Sequence, residues 1–196
     1  MSQRKTKQLT IIAIFAALSS LLYLFPKLPL PIFPSFLEIN FSMLPILIAT
    51  FIYGSKGGLL CILLRFIVKM ITISSSTIYV GEIADLIISS LVVIVISIFK
   101  DKTTLMRYLM GILTWVLVSF IANVSFLVPM YIKLFFQGDV NQFILACEII
   151  PNINIYNYML NYVIFAVIPF NLLLSSIIML ITRLTYNRLK DFLNTL

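Results

Sequence analysis

The stretch LTIIAIFAALSSLLYLFPKLPLPIFPSFLEINFSMLP, residues Leu9–Pro45, decides the fold. Its first part, Leu9–Phe25, is an apolar run without a single charge, close to the roughly 20 residues an α-helix needs to cross a bilayer. Pro26, Pro29, Pro31 and Pro34 then end any helix, because proline has no backbone N–H and pushes the residue before it towards extended backbone. The chain stays apolar while it is non-helical, so its unpaired backbone groups must be buried against protein or beside a water-filled cavity. Such a segment reads as a lid or re-entrant loop on the outer face of a membrane bundle. The basic start, Arg4, Lys5 and Lys7, resembles the opening of a signal peptide. The apolar run is nevertheless long for a cleaved leader and ends in Pro26-Lys27 rather than small residues, so it is read as a retained first helix.

Outward from this stretch the same chemistry continues. Of 196 residues, 61% are hydrophobic and 11% charged, against about 25% charged in a soluble domain. The apolar runs are too long and too many for one interior to hide, so lipid must solvate most of the chain. Hydropathy places spans at Leu9–Phe25, Phe41–Tyr53, Gly57–Ile73, Gly81–Phe99, Tyr108–Ile132 and Tyr158–Leu184. This predicts an all-α integral membrane protein, a six-transmembrane-helix bundle in one domain over residues 1–196, with a Pro-rich outer lid loop after helix 1. The net charge of +7 does not point to nucleic acid. With the N-terminus inside, Arg4, Lys5, Lys7, Lys56, Lys100, Lys102, Arg107, Arg183, Arg188 and Lys190 flank inner ends, and only Lys27 and Lys133 outer ones. This is the positive-inside pattern, and it predicts a multi-pass cell-membrane protein with both termini cytoplasmic. The second outer connection, Lys133–Asn157, holds VNQFILACEII, expected as a short interfacial amphipathic helix ended by Pro151.

The polar residues left at membrane depth are few. There is no histidine, Walker loop or GxSxG, and no catalytic set or metal cluster is expected. Glu82 and Asp85 share a helical face; they either sit at a helix N-terminus favoured by the dipole or face a polar pocket. Arg65 and Lys69, also on one face, need a partner, a cavity or the headgroup layer, and Lys69 is near enough to the outer end to snorkel. Asn123 and Asn171 offer donors and an acceptor, for an interhelical bond or for a ligand with imide or hydroxyl groups. Pro169 adds a freed backbone carbonyl beside Asn171. Cys61 and Cys147 read as small buried hydrophobes. Ala13 and Ala17, with Ala16 and Ser20, form small-xxx-small pairs suited to close approach by another helix.

Several of these residues fall in motifs of a known family. FPSFLEINFSMLP (Phe33–Pro45) resembles FPSFLKIDFSDIP of the riboflavin-binding S components of energy-coupling factor (ECF) transporters. GEIADLIIS (Gly81–Ser89) is similar to their GELANFLIG, NVSFLVPMY (Asn123–Tyr131) to NYFILIPLY, and IPFNLLL (Ile168–Leu174) to IPFNLLK. The resemblance runs over nearly the whole chain. It implies a substrate-binding membrane subunit of an ATP-dependent vitamin importer, with riboflavin or a related flavin as transported ligand and no cofactor. It also implies a T transmembrane subunit and two ATPase subunits as partners, with Ala13-x-x-x-Ala17 docking onto the T subunit. Family ligand contacts map onto Leu37, Ile39, Asn40, Asp85, Asn123 and Asn171. With Phe36 of the lid, Glu82, the retained Lys69 and position 174, these make the expected substrate site. The sequence departs from the family at Met43, Met70 and Leu174, the last standing where the family has a flavin-contacting lysine. An S component for another vitamin or small heterocycle is the alternative; a membrane scaffold or membrane-embedded enzyme fits the residues less well.

Overall fold

The computed structural model describes residues 3–25, 28–72 and 79–194. Pro26, Lys27 and the Ile73 end of the expected third span lie outside the described residues, as do the side chains of Arg4 and Lys190. Five helical runs are long and apolar enough to cross a membrane: Lys5–Leu24, Met43–Thr72, Val80–Asp101, Thr104–Phe135 and Tyr158–Leu189. They contain helices α1 (Gln3–Leu24), α2 (Met43–Thr72), α3 (Val80–Ile98), α4 (Thr104–Ala122), α5 (Val128–Phe135), α7 (Tyr158–Tyr162) and α8 (Ile168–Asn194), with the short α6 (Val140–Ala146) outside them. Along the chain α1 packs on α2, α2 on α3, α3 on α4, and α8 closes the bundle against α4 and α2.

The α2 run is folded in two. Gly54 has φ 71° and ψ −166°, backbone that only glycine adopts without strain. Arg65 donates to the Ser42 hydroxyl at 2.8 Å, and a Cβ at Gly58 would collide with the Thr50 hydroxyl and with Val93. In one straight helix residues 50 and 58 would stand about 12 Å apart, and residues 42 and 65 about 34 Å. The chain therefore doubles back at Gly54, and the two halves fall on the second and third segments that hydropathy marks. The first half, Met43–Tyr53, is only about 16 Å long, half of a bilayer's hydrocarbon thickness.

Burial follows the logic of lipid rather than water. Ile46, Leu47, Ile62, Val92, Val93, Ile96 and Ile178 fill the interior, while Ile14, Leu18, Leu21, Leu63, Ile67, Leu113, Leu117 and Leu180 stay exposed on the outer faces. A surface of this kind is stable only in an apolar solvent.

The all-α expectation needs one local correction. In the Pro-rich segment β1 (Leu28–Pro29) pairs antiparallel with β2 (Glu38–Ile39), with Leu28 opposite Ile39. Prolines that hold extended backbone favour this ribbon over a helix. The loop it closes turns Phe33 inward, edge-to-face against Phe170 at 5.4 Å. A second correction concerns VNQFILACEII: α6 ends at Ala146, well before Pro151. Its start is set by Asp139, whose carboxylate accepts from the Asn141 N–H at 2.8 Å, an N-cap.

The last two long runs share a further irregularity. Each contains a π-helical turn, Asn123–Leu127 and Val163–Val167, in which the N–H of Val128 or Ile168 reaches five residues back. Each turn is followed, at the same spacing, by Pro129 or Pro169. A proline cannot supply its i→i−4 bond and crowds the preceding turn, and a widened turn relieves that conflict. Asn123 opens the first wide turn, and Asn171 lies just beyond the second.

Candidate functional site

Beside these two turns the bundle opens into a cavity of about 530 Å³. Aromatic side chains dominate its wall: Phe36 from the Pro-rich segment, Tyr131, Phe135 and Phe136 near the end of α5, Phe143 from α6, Tyr162 from α7 and Phe170 from α8. Phe143 is the hinge of this cluster, 5.3 Å from Tyr162, 6.0 Å from Phe136 and 6.4 Å from Phe36 between ring centroids. Offset and edge-on aromatic contacts at these separations hold the walls without filling the space between them. The expected interfacial helix is thus part of the bundle, with Phe143 buried in the wall.

A second chamber of about 200 Å³ adjoins the first. The two share Ile88, Ser119, Leu127, Tyr131, Phe170 and Asn171, so these residues form the neck between them. The second chamber carries more of the polar side chains: Glu38, Asn40, Ser42, Asp85 and Ser89 line it beside the apolar Met43, Ala84, Trp115 and Leu174. The amides at the neck and in the larger chamber are anchored but not exhausted. Asn123 Nδ2 donates to the Ser119 carbonyl at 2.8 Å, and its Oδ1 receives the Tyr162 hydroxyl at 3.5 Å, the limit of a hydrogen bond. Asn171 Nδ2 donates to the Val167 carbonyl at 2.8 Å. Each anchor uses one of the amide's donors, which leaves the other N–H, and in Asn171 also the oxygen, for a ligand.

The charged residues have a different setting. Arg65, 2% exposed, pairs with Asp85 at 2.5 Å, donates to Ser42 and reaches Ser89 at 3.4 Å. Lys69 pairs with Glu82 at 3.2 Å. Both cations lie over the Tyr23 ring, Lys69 Nζ 4.4 Å and Arg65 Cζ 5.1 Å from its centroid, within cation–π reach. The gap among these side chains is about 10 Å³, at the lower limit for one water. Asp85 alone of them also reaches the polar chamber, its side chain one-third exposed.

A family model described as "ECF transporter, substrate-specific component" matches residues 7–186. The chain belongs to that family. It is 31% identical to the riboflavin transporter RibU of Streptococcus thermophilus, across 96% of this chain and 85% of that one. It is 25% identical to RibU of Staphylococcus aureus, across 98% and 95% of the two chains, and 23% identical to the riboflavin transporter FmnP of Bacillus subtilis, across 96% and 95%. A solved structure described as the S component of a bacterial ECF transporter shares the fold, with a TM-score of 0.71 at 23% identity over 96% of this chain and 98% of that one.

Among the site residues expected from sequence, the S-component fold brings Phe36, Leu37, Asn40, Asp85, Asn123, Asn171 and Leu174 to the two chambers. It does not bring Ile39 there: that side chain is buried in the core from β2. Lys69 and Glu82 face each other in the narrow gap behind the polar chamber rather than its wall. Ser119, Tyr131, Phe143 and Tyr162 were missed. Ser119 stands one helical turn before Asn123, and that spacing was the available signal. Phe143 and Tyr162 carried none, because only the folded connection turns them inward. Ala13 and Ala17 are exposed on the outer face of α1, whereas Ala16 and Ser20 are buried against the bundle. The Cys147 thiol, buried after α6, is pushed up to about 12 by burial and stays protonated near neutral pH. Among the described residues no group of three or more His, Cys, Asp or Glu could hold a metal.

Proposed function

We propose that this chain captures riboflavin or a closely related flavin outside the cell and hands it to an ATP-driven ECF module for import. The single observation that carries the reading is the pair of joined chambers, one walled by aromatic rings and one into which carboxylate, amide and hydroxyl groups project among apolar side chains, in a chain whose relatives are named riboflavin transporters. A flat heteroaromatic ring suits the aromatic chamber, and a hydroxylated chain suits the polar one. The larger chamber is in the range of about 300–1,000 Å³ common to small-molecule sites. No bond is made or broken by this subunit; its task is recognition.

In this reading Phe36 and Leu37 cover the ring, Asn123 and Asn171 read its polar edge, and Asn40 and Asp85 meet the hydroxylated chain. The Pro-rich segment acts as the outer lid, and both termini are cytoplasmic, as the distribution of cations supports. The partners are a T transmembrane subunit and two ATPase subunits. The outward-facing Ala13 and Ala17 offer the T subunit a smooth strip of α1, since small residues allow close helix approach in lipid.

Titrating the purified protein with riboflavin, read by quenching of flavin fluorescence, tests the proposal. Saturable one-to-one binding at micromolar or lower concentration is the expected result. No quenching at high micromolar riboflavin would overturn the flavin assignment and leave a different vitamin or small heterocycle as the ligand, the reading favoured by Leu174 in place of the family's lysine.

A further inference from the structure

Ser119 is set apart by its hydroxyl. It is 1% exposed, and it is the only buried side-chain oxygen or nitrogen among the described residues without a hydrogen-bond partner. Hydroxyls in the helices of this bundle ordinarily turn back to the carbonyl four residues earlier, as those of Ser20, Thr50, Ser97, Thr114, Ser125 and Thr182 do. Ser119 does not, although Trp115 offers a carbonyl at the same spacing. Buried polar atoms are almost always paired, and an exception calls for a reason. The location supplies one. Ser119 lines both chambers at the neck between them, and its own carbonyl holds the Asn123 amide in place at 2.8 Å.

We propose that Ser119 is a specificity-determining ligand contact, its hydroxyl bonding to the ligand where a flat aromatic part gives way to a hydroxylated part. This rests on the reading that the ligand is flavin-like and adds a residue and a criterion to it. A serine hydroxyl both donates and accepts, so it can meet a hydroxyl whichever way that group is turned. A ligand with an apolar group at the junction would leave the serine unpaired and forfeit the bond. Selection of this kind is stronger than selection by shape, because a site built to hydrogen-bond a hydroxyl discriminates against an analogue lacking it.

The test compares two flavins with the same ring, riboflavin with its hydroxylated chain and lumiflavin with a methyl in its place. Both are titrated by fluorescence quenching against the purified wild type, Ser119→Ala and Asn171→Ala. Thermal unfolding of the unliganded proteins is recorded alongside. Ser119→Ala should weaken riboflavin about tenfold, the size of one lost hydrogen bond, and change lumiflavin by less than about twofold. Its unliganded melting temperature should be unchanged or higher, since an unpaired buried hydroxyl has been removed. Asn171→Ala, which is expected to touch the ring, should weaken both flavins alike. If Ser119→Ala leaves riboflavin binding unchanged, or weakens both flavins equally, the proposal is overturned while the flavin reading stands. If the wild type binds neither flavin, the flavin reading fails first and the Ser119 proposal falls with it.

Discussion

Between α1, α2 and α3 the charged side chains at membrane depth are matched to one another: Arg65 with Asp85, Lys69 with Glu82, and Tyr23 beneath both cations. Around α4, α5, α7 and α8 the polar groups at the cavity wall, Ser119, Asn123 and Asn171, are uncharged, and each keeps unused hydrogen-bonding capacity. The first region leaves a gap of about 10 Å³, the second a cavity of about 530 Å³. The difference lies in what each kind of group costs when it is alone. An unpaired charge in a low-dielectric interior is expensive enough that the fold must neutralise it, whereas an amide or hydroxyl can wait for a ligand. In the proposed reading charge holds the α1–α3 region together, and neutral polarity in the α4–α8 region, with Asn40 and Asp85 beside it, reads the ligand. Asp85, Ser42 and Ser89 are where the two meet, since all three touch Arg65 and line the second chamber.

The sharpest way to break this division is Arg65→Leu. It leaves the Asp85 carboxylate without the guanidinium and removes the contact to Ser42; stranding one member of a fully buried ion pair costs about 3–5 kcal/mol, and the one-third exposure of Asp85 reduces the loss below that. The variant should show a strongly lowered melting temperature in detergent or a poor folded yield, and Arg65→Leu with Asp85→Leu should recover much of the loss. A stable Arg65→Leu protein that has lost only flavin binding would place the charged cluster in the ligand site. Ala17→Trp should abolish transport in cells while leaving the riboflavin dissociation constant of the purified protein unchanged, because Ala17 is exposed on α1, away from both chambers. Reduced binding in that variant would show that α1 is not a docking face alone.

Smaller effects belong to the chambers. Asn171→Ala should weaken riboflavin ten- to a hundredfold, with unliganded stability changed by less than about 1 kcal/mol, as its loss removes a ligand contact and only a local bond to Val167. Leu174→Lys should tighten riboflavin by up to about tenfold, because Leu174 lines the polar chamber and a lysine there adds a charged donor. Isothermal titration separates both variants from the wild type.

The helices were legible because lipid imposes long apolar runs, and five such runs cover the six segments that hydropathy marked. The Gly54 fold-back was visible as a gap between two spans, but the half-length first arm was not, since hydropathy does not show where a helix turns round. Asn123, Asn171 and Asp85 were legible because a polar residue in an apolar run needs a reason. The aromatic wall was not, because Phe143 and Tyr162 sit in sequences where aromatics are ordinary and only the α6 connection turns them inward. The pairing of Lys69 with Glu82 was hidden for the opposite reason. Each is conspicuous at membrane depth, and each is the other's partner on facing helices, which no single sequence states.

That last pair gives the smallest expected effect on ligand binding and the finest test of the division. Lys69→Met alone leaves Glu82, 3% exposed, facing an apolar side chain, and Glu82→Leu alone leaves the ammonium with the Tyr23 ring 4.4 Å away. Both single variants should lose stability, because each removes one half of a largely buried ion pair. The double variant replaces an ion pair by packed apolar groups, an exchange that is often neutral in buried settings. Its melting temperature should return to within about 1 kcal/mol of wild-type stability, and its riboflavin affinity should stay within about twofold throughout. A pair belonging to the ligand site would behave otherwise: each single change would weaken binding about tenfold or more, and the double variant, though folded again, would not recover it. Thermal unfolding and flavin titration on the same three preparations therefore decide between a structural lock and a ligand contact, because only the lock is restored by removing both of its halves.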